Sequence, residues 1–357
     1  MHLKNLKVRS TSSKSFHIFS DVHVGNNKAI CSDAPYISES EDYHYPRPEQ
    51  AAMFDWWVGH RDNLKNGKPL LTVVNGEPCD GNNRKSMGKE CWSNDVGDQK
   101  EDFKRLIKFL SYQNVLLIKG SGYHSDSNTT SSLEEEIARE IGALPYSGYF
   151  HRQIDTGTGE FIDQYDGGKY TDVYAQFKCF NRVFNITHHI GFTKWFSYRP
   201  TALGREMAGM VFEDDKFYDH DDAPNVMIRS HAHYFVEIRY PNSWGMITSA
   251  WKYPDDYLFR GGIAGTTPDV GMTEIIVEPN EEILVYPHIA PKAKMPKPYI
   301  HDFSPEYSLR KLKTRQEELA RKIKRVEILC RTPQEKLRIN MKRANSKTPL
   351  EEFEPIR

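Results

Sequence analysis

The stretch Phe16-His17-Ile18-Phe19-Ser20-Asp21-Val22-His23 decides how the chain is read: a short apolar, aromatic run breaks off into an acid and a histidine two positions apart. A run of this kind suits a strand buried on both faces. Side chains two positions apart leave a strand end on the same side, so Asp21 and His23 can grip one ion. The pairing of apolar run and polar cluster recurs four times. Leu70-Leu71-Thr72-Val73-Val74 leads into Asn75-Gly76-Glu77-Pro78-Cys79-Asp80-Gly81, and Val115-Leu116-Leu117-Ile118 leads into Gly120-Ser121-Gly122-Tyr123-His124. Val183-Phe184-Asn185-Ile186 is followed by His188-His189, and Val226-Met227-Ile228 by Ser230-His231-Ala232-His233. Taken singly, each cluster also reads as a turn acid or a strand that carries histidine on alternate positions. A carboxylate in the second cluster, Glu77 or Asp80, offers two oxygens that can bridge two ions. The H-x-H pair can bind one ion or one each of two neighbours.

Helix-like segments lie between the runs. Residues 48–64 open on Pro48-Glu49-Gln50 and space Met53, Trp56, Trp57 and Leu64 at helical intervals, and residues 98–111 do the same with Phe103, Leu106, Ile107 and Leu110. A third helix is expected at 132–141, where Ser132 and Glu135 have the spacing of a capping box. Strands alternating with helices predict an α/β sheet whose ligands bind at the carboxyl ends of the strands. From 234 to 290 the pattern changes to hairpin-like strands at 234–238, 244–248, 273–277 and 283–286, expected to complete a second sheet. Three prolines and three lysines between Pro291 and Pro298 read as a linker. Ser304-Pro305-Glu306 then caps a helix expected to run to about Arg331. Leu309, Leu312, Gln316, Leu319, Ile323, Val326 and Cys330 give it a coiled-coil-like seam through which the chain is expected to form a homodimer. The expected domains are therefore 1–290, a linker at 291–303, and a basic helical extension at 304–357.

A length of 357 residues allows one large domain with an appendage. The sequence has no run of eighteen apolar residues to span a bilayer, and its first residues lack the apolar stretch of a secretory signal. Five scattered cysteines without a CxxC pair fit free thiols in a reducing compartment, so a cytoplasmic location is expected and a cysteine zinc cluster is not. Residues 301–357 carry 15 Lys/Arg against 9 Asp/Glu, while the rest carries 33 against 40. The basic tail, with Arg321, Lys322, Lys324 and Arg325, is one reason to consider nucleic acid as a partner. A solvated charged face is the plainer reading of those residues.

In their order along the chain, D-x-H, G-carboxylate-x-x-D, a Gly-rich loop with His, H-H and H-x-H, the five clusters resemble the calcineurin-like metallophosphoesterase superfamily over roughly residues 15–290. A softer likeness is to divergent members found in phage genomes, for which the compartment would be the host cytoplasm. The resemblance implies a sandwich of two mixed β-sheets flanked by helices and a site for two divalent metal ions, Mn²⁺ first, with Fe, Zn²⁺ or Mg²⁺ as alternatives. It implies that Asp21, His23 and His233 hold the first ion, that Glu77 bridges, and that His188 and His231 hold the second, with His189 the alternative to His188. His124 matches the family's non-ligand histidine, which acts on the leaving group. Arg199 and Arg205 are candidates to contact substrate phosphate. The implied activity is hydrolysis of a phosphate ester by water activated on the ions, as a phosphodiesterase or nuclease. A protein or small-molecule phosphomonoesterase is one alternative, and a degenerate fold used as a binding module is another.

Three positions depart from the pattern. Glu77 stands where the family has Asp, Tyr123 falls on the position of the Asn ligand unless Ser121 or Asp126 replaces it, and Ser230 replaces a Gly.

Overall fold

The computed structural model describes residues 12–60, 64, 69–82, 88–109, 114–125, 132–145, 152–153, 170–193, 195–217, 223–255, 268–291, 313–317 and 319–321. The strands in chain order are β1 (Lys14–Phe19), β2 (Tyr36–Ile37), β3 (Asp42–Tyr43), β4 (Leu71–Asn75), β5 (Val115–Ile118), β6 (Arg152–Gln153), β7 (Thr171–Asp172), β8 (Tyr174–Cys179), β9 (Arg182–Thr187), β10 (Val226–Arg229), β11 (Val236–Arg239), β12 (Trp244–Ile247), β13 (Gly271–Val277) and β14 (Ile283–Ile289). The helices are α1 (Pro48–His60), α2 (Val96–Phe109), α3 (Gly122–Ser125), α4 (Leu133–Glu140) and α5 (Arg199–Phe217).

Two six-stranded sheets, β14-β13-β1-β4-β5-β7 and β11-β12-β10-β9-β8-β6, form the expected sandwich. β1, β4 and β5 are parallel neighbours in the first sheet, as β9 and β10 are in the second. All five expected strands therefore exist, but they are divided between two sheets, and their carboxyl ends meet where the sheets adjoin. The hairpin strands are divided as well. β11 and β12 extend the second sheet as expected, whereas β13 pairs antiparallel with β1 and belongs to the first. Alternation marks a strand but does not name its partner.

The inner faces meet through Phe16, Ile18, Val73 and Ile118 of one sheet and Phe177, Phe184, Ile186 and Ile228 of the other. Phe16 lies 5.2 Å from Phe177 and 5.5 Å from Phe184, ring centre to ring centre. On the outer face of the first sheet, Met53 and Trp57 of α1, Phe103 and Ile107 of α2 and Leu133 and Ile137 of α4 cover Phe19, Val74 and Leu117. On the outer face of the second, Leu203 and Met207 of α5 cover Met227 and Ile247. The Ser132 side chain accepts from the Glu135 amide and caps α4 as the sequence suggests.

The chain divides into two compact units, Met1–Ala293 and Lys294–Arg357. The expected linker after Pro291 and most of the seam lie outside the described residues; within the second unit 313–317 and 319–321 are helical, and Gln316 and Leu319 are exposed. No described helix is long and apolar enough to cross a membrane.

One aromatic cluster ties the core to the end of β1. Trp57 stands edge-on to both Phe19 and Trp251, each at 4.9 Å, and the Trp251 amide donates to the Asp21 carbonyl at 3.0 Å. Trp57→Ala is expected to destabilise the fold by about 3–5 kcal/mol in urea unfolding. A loss below roughly 1 kcal/mol would contradict this packing role.

Candidate metal centre

The loops that leave β1 and β4 stay zipped together beyond their strands. The Asp21 amide donates to the Gly76 carbonyl at 3.2 Å, and the His23 amide to the Glu77 carbonyl at 2.9 Å. On the second sheet the Ser230 amide donates to the His188 carbonyl at 2.9 Å. Asn75, at the end of β4, joins the two sheets: its amide donates to the Thr187 carbonyl at 3.0 Å and to Ser230 Oγ at 2.6 Å. Ser230 Oγ is also 2.8 Å from Thr248 Oγ1, so this hydroxyl has a structural task.

The backbone at the strand ends is unusual. Among the described residues eight non-glycine positions have left-handed φ, and five of them are Asp21, His23, Glu77, His231 and His233, at 50–66°. Such conformations cost about 1–3 kcal/mol each and persist where the surroundings over-determine them. Here they turn acids and imidazoles from separate loops toward one place. Gly76, at φ 83°, allows the closest approach, because a Cβ there would stand 2.2 Å from His188 Nδ1. Gly120 has a related role. A Cβ on it would lie 2.5 Å from Glu77 Cγ, so its bare backbone makes room for the methylene by which Glu exceeds Asp.

Among the described residues three groups of converging ligand atoms result, Asp21, His23, Glu77 and His233 in one, Asp21, Glu77, His188 and His231 in the second, and His23, Asp80 and His124 in the third, and within each the atoms lie within 4.8 Å of one another. His23 Nε2 is 2.8 Å from Glu77 Oε2, His233 Nε2 3.1 Å from Asp21 Oδ1, and His188 Nε2 3.4 Å from Glu77 Oε1. His231 Nδ1 is 4.0 Å from Glu77 Oε1. Despite these separations, Asp21 Oδ1, His23 Nε2, His188 Nε2 and His231 Nδ1 are buried without an aligned hydrogen-bond partner. Buried polar atoms are nearly always paired. Four that are not, drawn from groups of converging ligand atoms, make an arrangement that could hold cations, and the donor set fits divalent ions.

Surrounding groups fix the rings. Asp80 Oδ1 sits 3.0 Å from His23 Nδ1, and the Asn75 carbonyl 2.7 Å from His188 Nδ1, leaving Nε2 of each ring turned inward. The buried ammonium of Lys252 reaches Asp80 Oδ1 at 3.5 Å and Asp255 at 2.8 Å. His124 directs Nδ1 to the Asp80 carbonyl at 2.7 Å and holds Nε2 4.0 Å from Glu77 Oε1. Ser121 Oγ donates to Glu77 Oε1 at 2.5 Å, and the side chain of Tyr123 lies outside the described ones. His189 belongs to none of these groups; it is exposed and stacks on His231 at 4.5 Å. Arg199 is buried with its guanidinium 4.4 Å from the Tyr234 ring, and Arg205 is exposed on α5. Lys252 and the clamp by Asn75 are invisible in sequence, since a lone lysine or asparagine near a strand end carries no signal.

Charge in the cluster is balanced by protons when no cation is bound. Burial works to raise Asp21, but the imidazoles of His233 and His188 outweigh it and hold the carboxyl below its usual range. Burial opposes the ionised Glu77 in the same way, and His124, His23 and His188 hold it well down. Burial would lower His23 and His188; carboxylates outweigh it, Glu77 and Asp80 for His23 and Asp21 and Glu77 for His188, and both rise to about 9. His231 is pushed down to about 4, chiefly by burial.

No family model matches the sequence, and no curated protein does. Solved structures show a distant likeness. An archaeal phosphodiesterase has 9% identity and a TM-score of 0.34 over 77% of this chain and 99% of its own. Vps29 from Cryptosporidium parvum has 8% identity and a TM-score of 0.37 over 78% and 99%. Zinc-complexed Vps29 from Entamoeba histolytica has 10% identity and a TM-score of 0.33 over 76% and 97%. At these scores the likeness carries no functional argument, and the chemistry of the site has to come from its own side chains.

Imidazoles bind metal only when neutral. With His23 and His188 at about 9, both are protonated at pH 7, so loading must displace their protons. Titration with Mn²⁺ at pH 7 is expected to release about two protons per chain, with affinity rising with pH and levelling above about 9. Calorimetry in buffers of different ionisation enthalpy checks this, and a release near zero would contradict it. Asp80→Asn, which weakens the hold on His23, is expected to lower Mn²⁺ affinity by about 10–100-fold, whereas unchanged affinity would remove Asp80 from this role.

Proposed function

We propose that the chain is a metal-dependent phosphoesterase and, within that class, a phosphodiesterase or nuclease. The shared carboxylates support this most, because Asp21 and Glu77 each stand in both of the four-residue groups of converging ligand atoms. Two divalent cations held there would polarise a phosphoryl group and lower the pKa of water. Mixed imidazole and carboxylate donors suit Mn²⁺, which we propose as the ion, better than Ca²⁺.

The chain's own residues orient and move protons. Asp80 and the Asn75 carbonyl fix the faces of His23 and His188. Because the His124 Nδ1 proton is committed to the Asp80 carbonyl, exchange with substrate runs through Nε2. Burial pushes this imidazole below its ordinary pKa, so at neutral pH Nε2 rests as an acceptor. It can take a proton there and return it to a leaving oxygen.

A second reading, a binding module on a degenerate site, is favoured by the Ser121 hydroxyl, which occupies a lone pair of Glu77 Oε1. Metal content and turnover separate the two. Purified chain with Mn²⁺ is expected to bind two ions and to hydrolyse bis-p-nitrophenyl phosphate faster than p-nitrophenyl phosphate. His124→Ala is expected to retain the ions and lose about 10²–10⁴-fold in turnover. Fewer than one ion per chain and no turnover on either ester would establish the binding module, and preference for the monoester would make the chain a phosphomonoesterase. Unchanged turnover in His124→Ala would remove its assigned role.

A further inference from the structure

The loop between β9 and α5 exposes aromatic rings beside the candidate centre. Among the described residues ten large apolar side chains are exposed, and four of them, Phe192, Trp195, Phe196 and Tyr198, fall within seven positions at 53–79% exposure. Scattered exposed apolar side chains are ordinary, whereas a contiguous set marks a binding surface. This set begins at the edge of the centre, where the Phe192 ring stands edge-on to His231 with centroids 6.2 Å apart.

The loop is held in shape. The Trp195 amide donates to Thr193 Oγ1 at 3.2 Å, and the Tyr198 amide to the Trp195 carbonyl at 3.0 Å. The buried guanidinium of Arg199 lies 5.1 Å from the Phe196 ring and 4.4 Å from the Tyr234 ring. Cation–π contacts of this kind fix a ring while its other face stays open.

We infer that Phe192, Trp195, Phe196 and Tyr198 form a base-stacking platform that receives the bases next to a phosphate held at the candidate centre, so that the ligand is single-stranded nucleic acid. The identity of the bound phosphate rests on the phosphoesterase reading; the rings themselves do not. Every nucleobase has an apolar π face, and stacking on an aromatic side chain is sequence-tolerant. In a duplex those faces are covered by neighbouring bases. The occupant follows from position, since the Phe192 ring adjoins His231 and a base next to a phosphate held at the centre lies within reach of it. A globular protein seated on the same rings would cover the centre instead.

The test is binding, measured by fluorescence anisotropy with Mn²⁺ present. The probes are a fluorescein-labelled, phosphorothioate-linked oligothymidylate and an abasic oligomer of equal length and linkage. The full-length protein is expected to bind the base-bearing probe about tenfold more tightly or better, and Trp195→Ala/Phe196→Ala to lose that margin, while Trp195→Phe retains it. Equal affinity of the two probes for the unmutated protein would overturn the platform, as would a margin that survives in the double variant. Co-sedimentation with phosphatidylcholine vesicles, lost in the double variant and accompanied by no base-dependent margin, would overturn it in favour of a lipid surface. Should the double variant fail to fold by circular dichroism, Trp195→Ala with both probes decides in the same terms. Turnover of bis-p-nitrophenyl phosphate by the unmutated protein is read in parallel. Its absence with an intact margin sinks the phosphoesterase reading alone, and its presence without a margin sinks the platform alone.

Discussion

A buried carboxylate needs positive partners, and Glu77 is the one around which this chain is arranged. Removing an ionised carboxylate from water costs several kcal/mol unless opposite charge and donors replace the solvent. Glu77 is almost wholly buried, and Nε2 of His23, Nε2 of His188, Nδ1 of His231 and Nε2 of His124 all stand within 4.0 Å of its oxygens. Core packing alone would place apolar groups there. Protons on His23 and His188 offset the charge of the carboxylate in the absence of cations, although their Nε2 atoms are not aligned to hydrogen-bond it, and divalent ions would do so more completely, which makes metal and proton competitors for one site.

That arrangement dictates the scaffold. The converging side chains follow β1, β4, β9 and β10, strands of two sheets, so the sheets must meet at their carboxyl ends and stay in register there. Asn75 supplies this constraint by donating to Thr187 and Ser230 while its own carbonyl orients His188. Left-handed backbone at five ligand positions turns the side chains inward, a conformation that β-branched residues would resist. The packing of Trp57 against Phe19 and Trp251 keeps the end of β1 from shifting away from its partners.

Much of this is legible in the unfolded chain. Val115–Ile118 can be read to the residue because a buried strand of a parallel sheet is a plain apolar run with polar ends. The acids and histidines of the site stand out because each follows such a run. Helix α5 does not stand out: Leu203 and Met207 lie one turn apart, but Gly204 and Gly209 dilute the helical signal. The hairpin of β13 and β14 lies in the first sheet and not, as expected, in the second, because alternation is blind to pairing. Asp80 reads in sequence as a carboxylate that could bridge two ions, whereas in the structure it faces His23 Nδ1 and pairs with Lys252, which comes from a remote loop. Contacts of that kind exist only once the two loops are side by side.

Crystals soaked in Mn²⁺ and measured at an energy where the metal scatters anomalously test the central claim most directly. The account predicts two anomalous peaks about 3.5–4 Å apart with the Glu77 carboxylate between them. Peaks confined to the surface, or a single peak out of reach of Glu77, would contradict it.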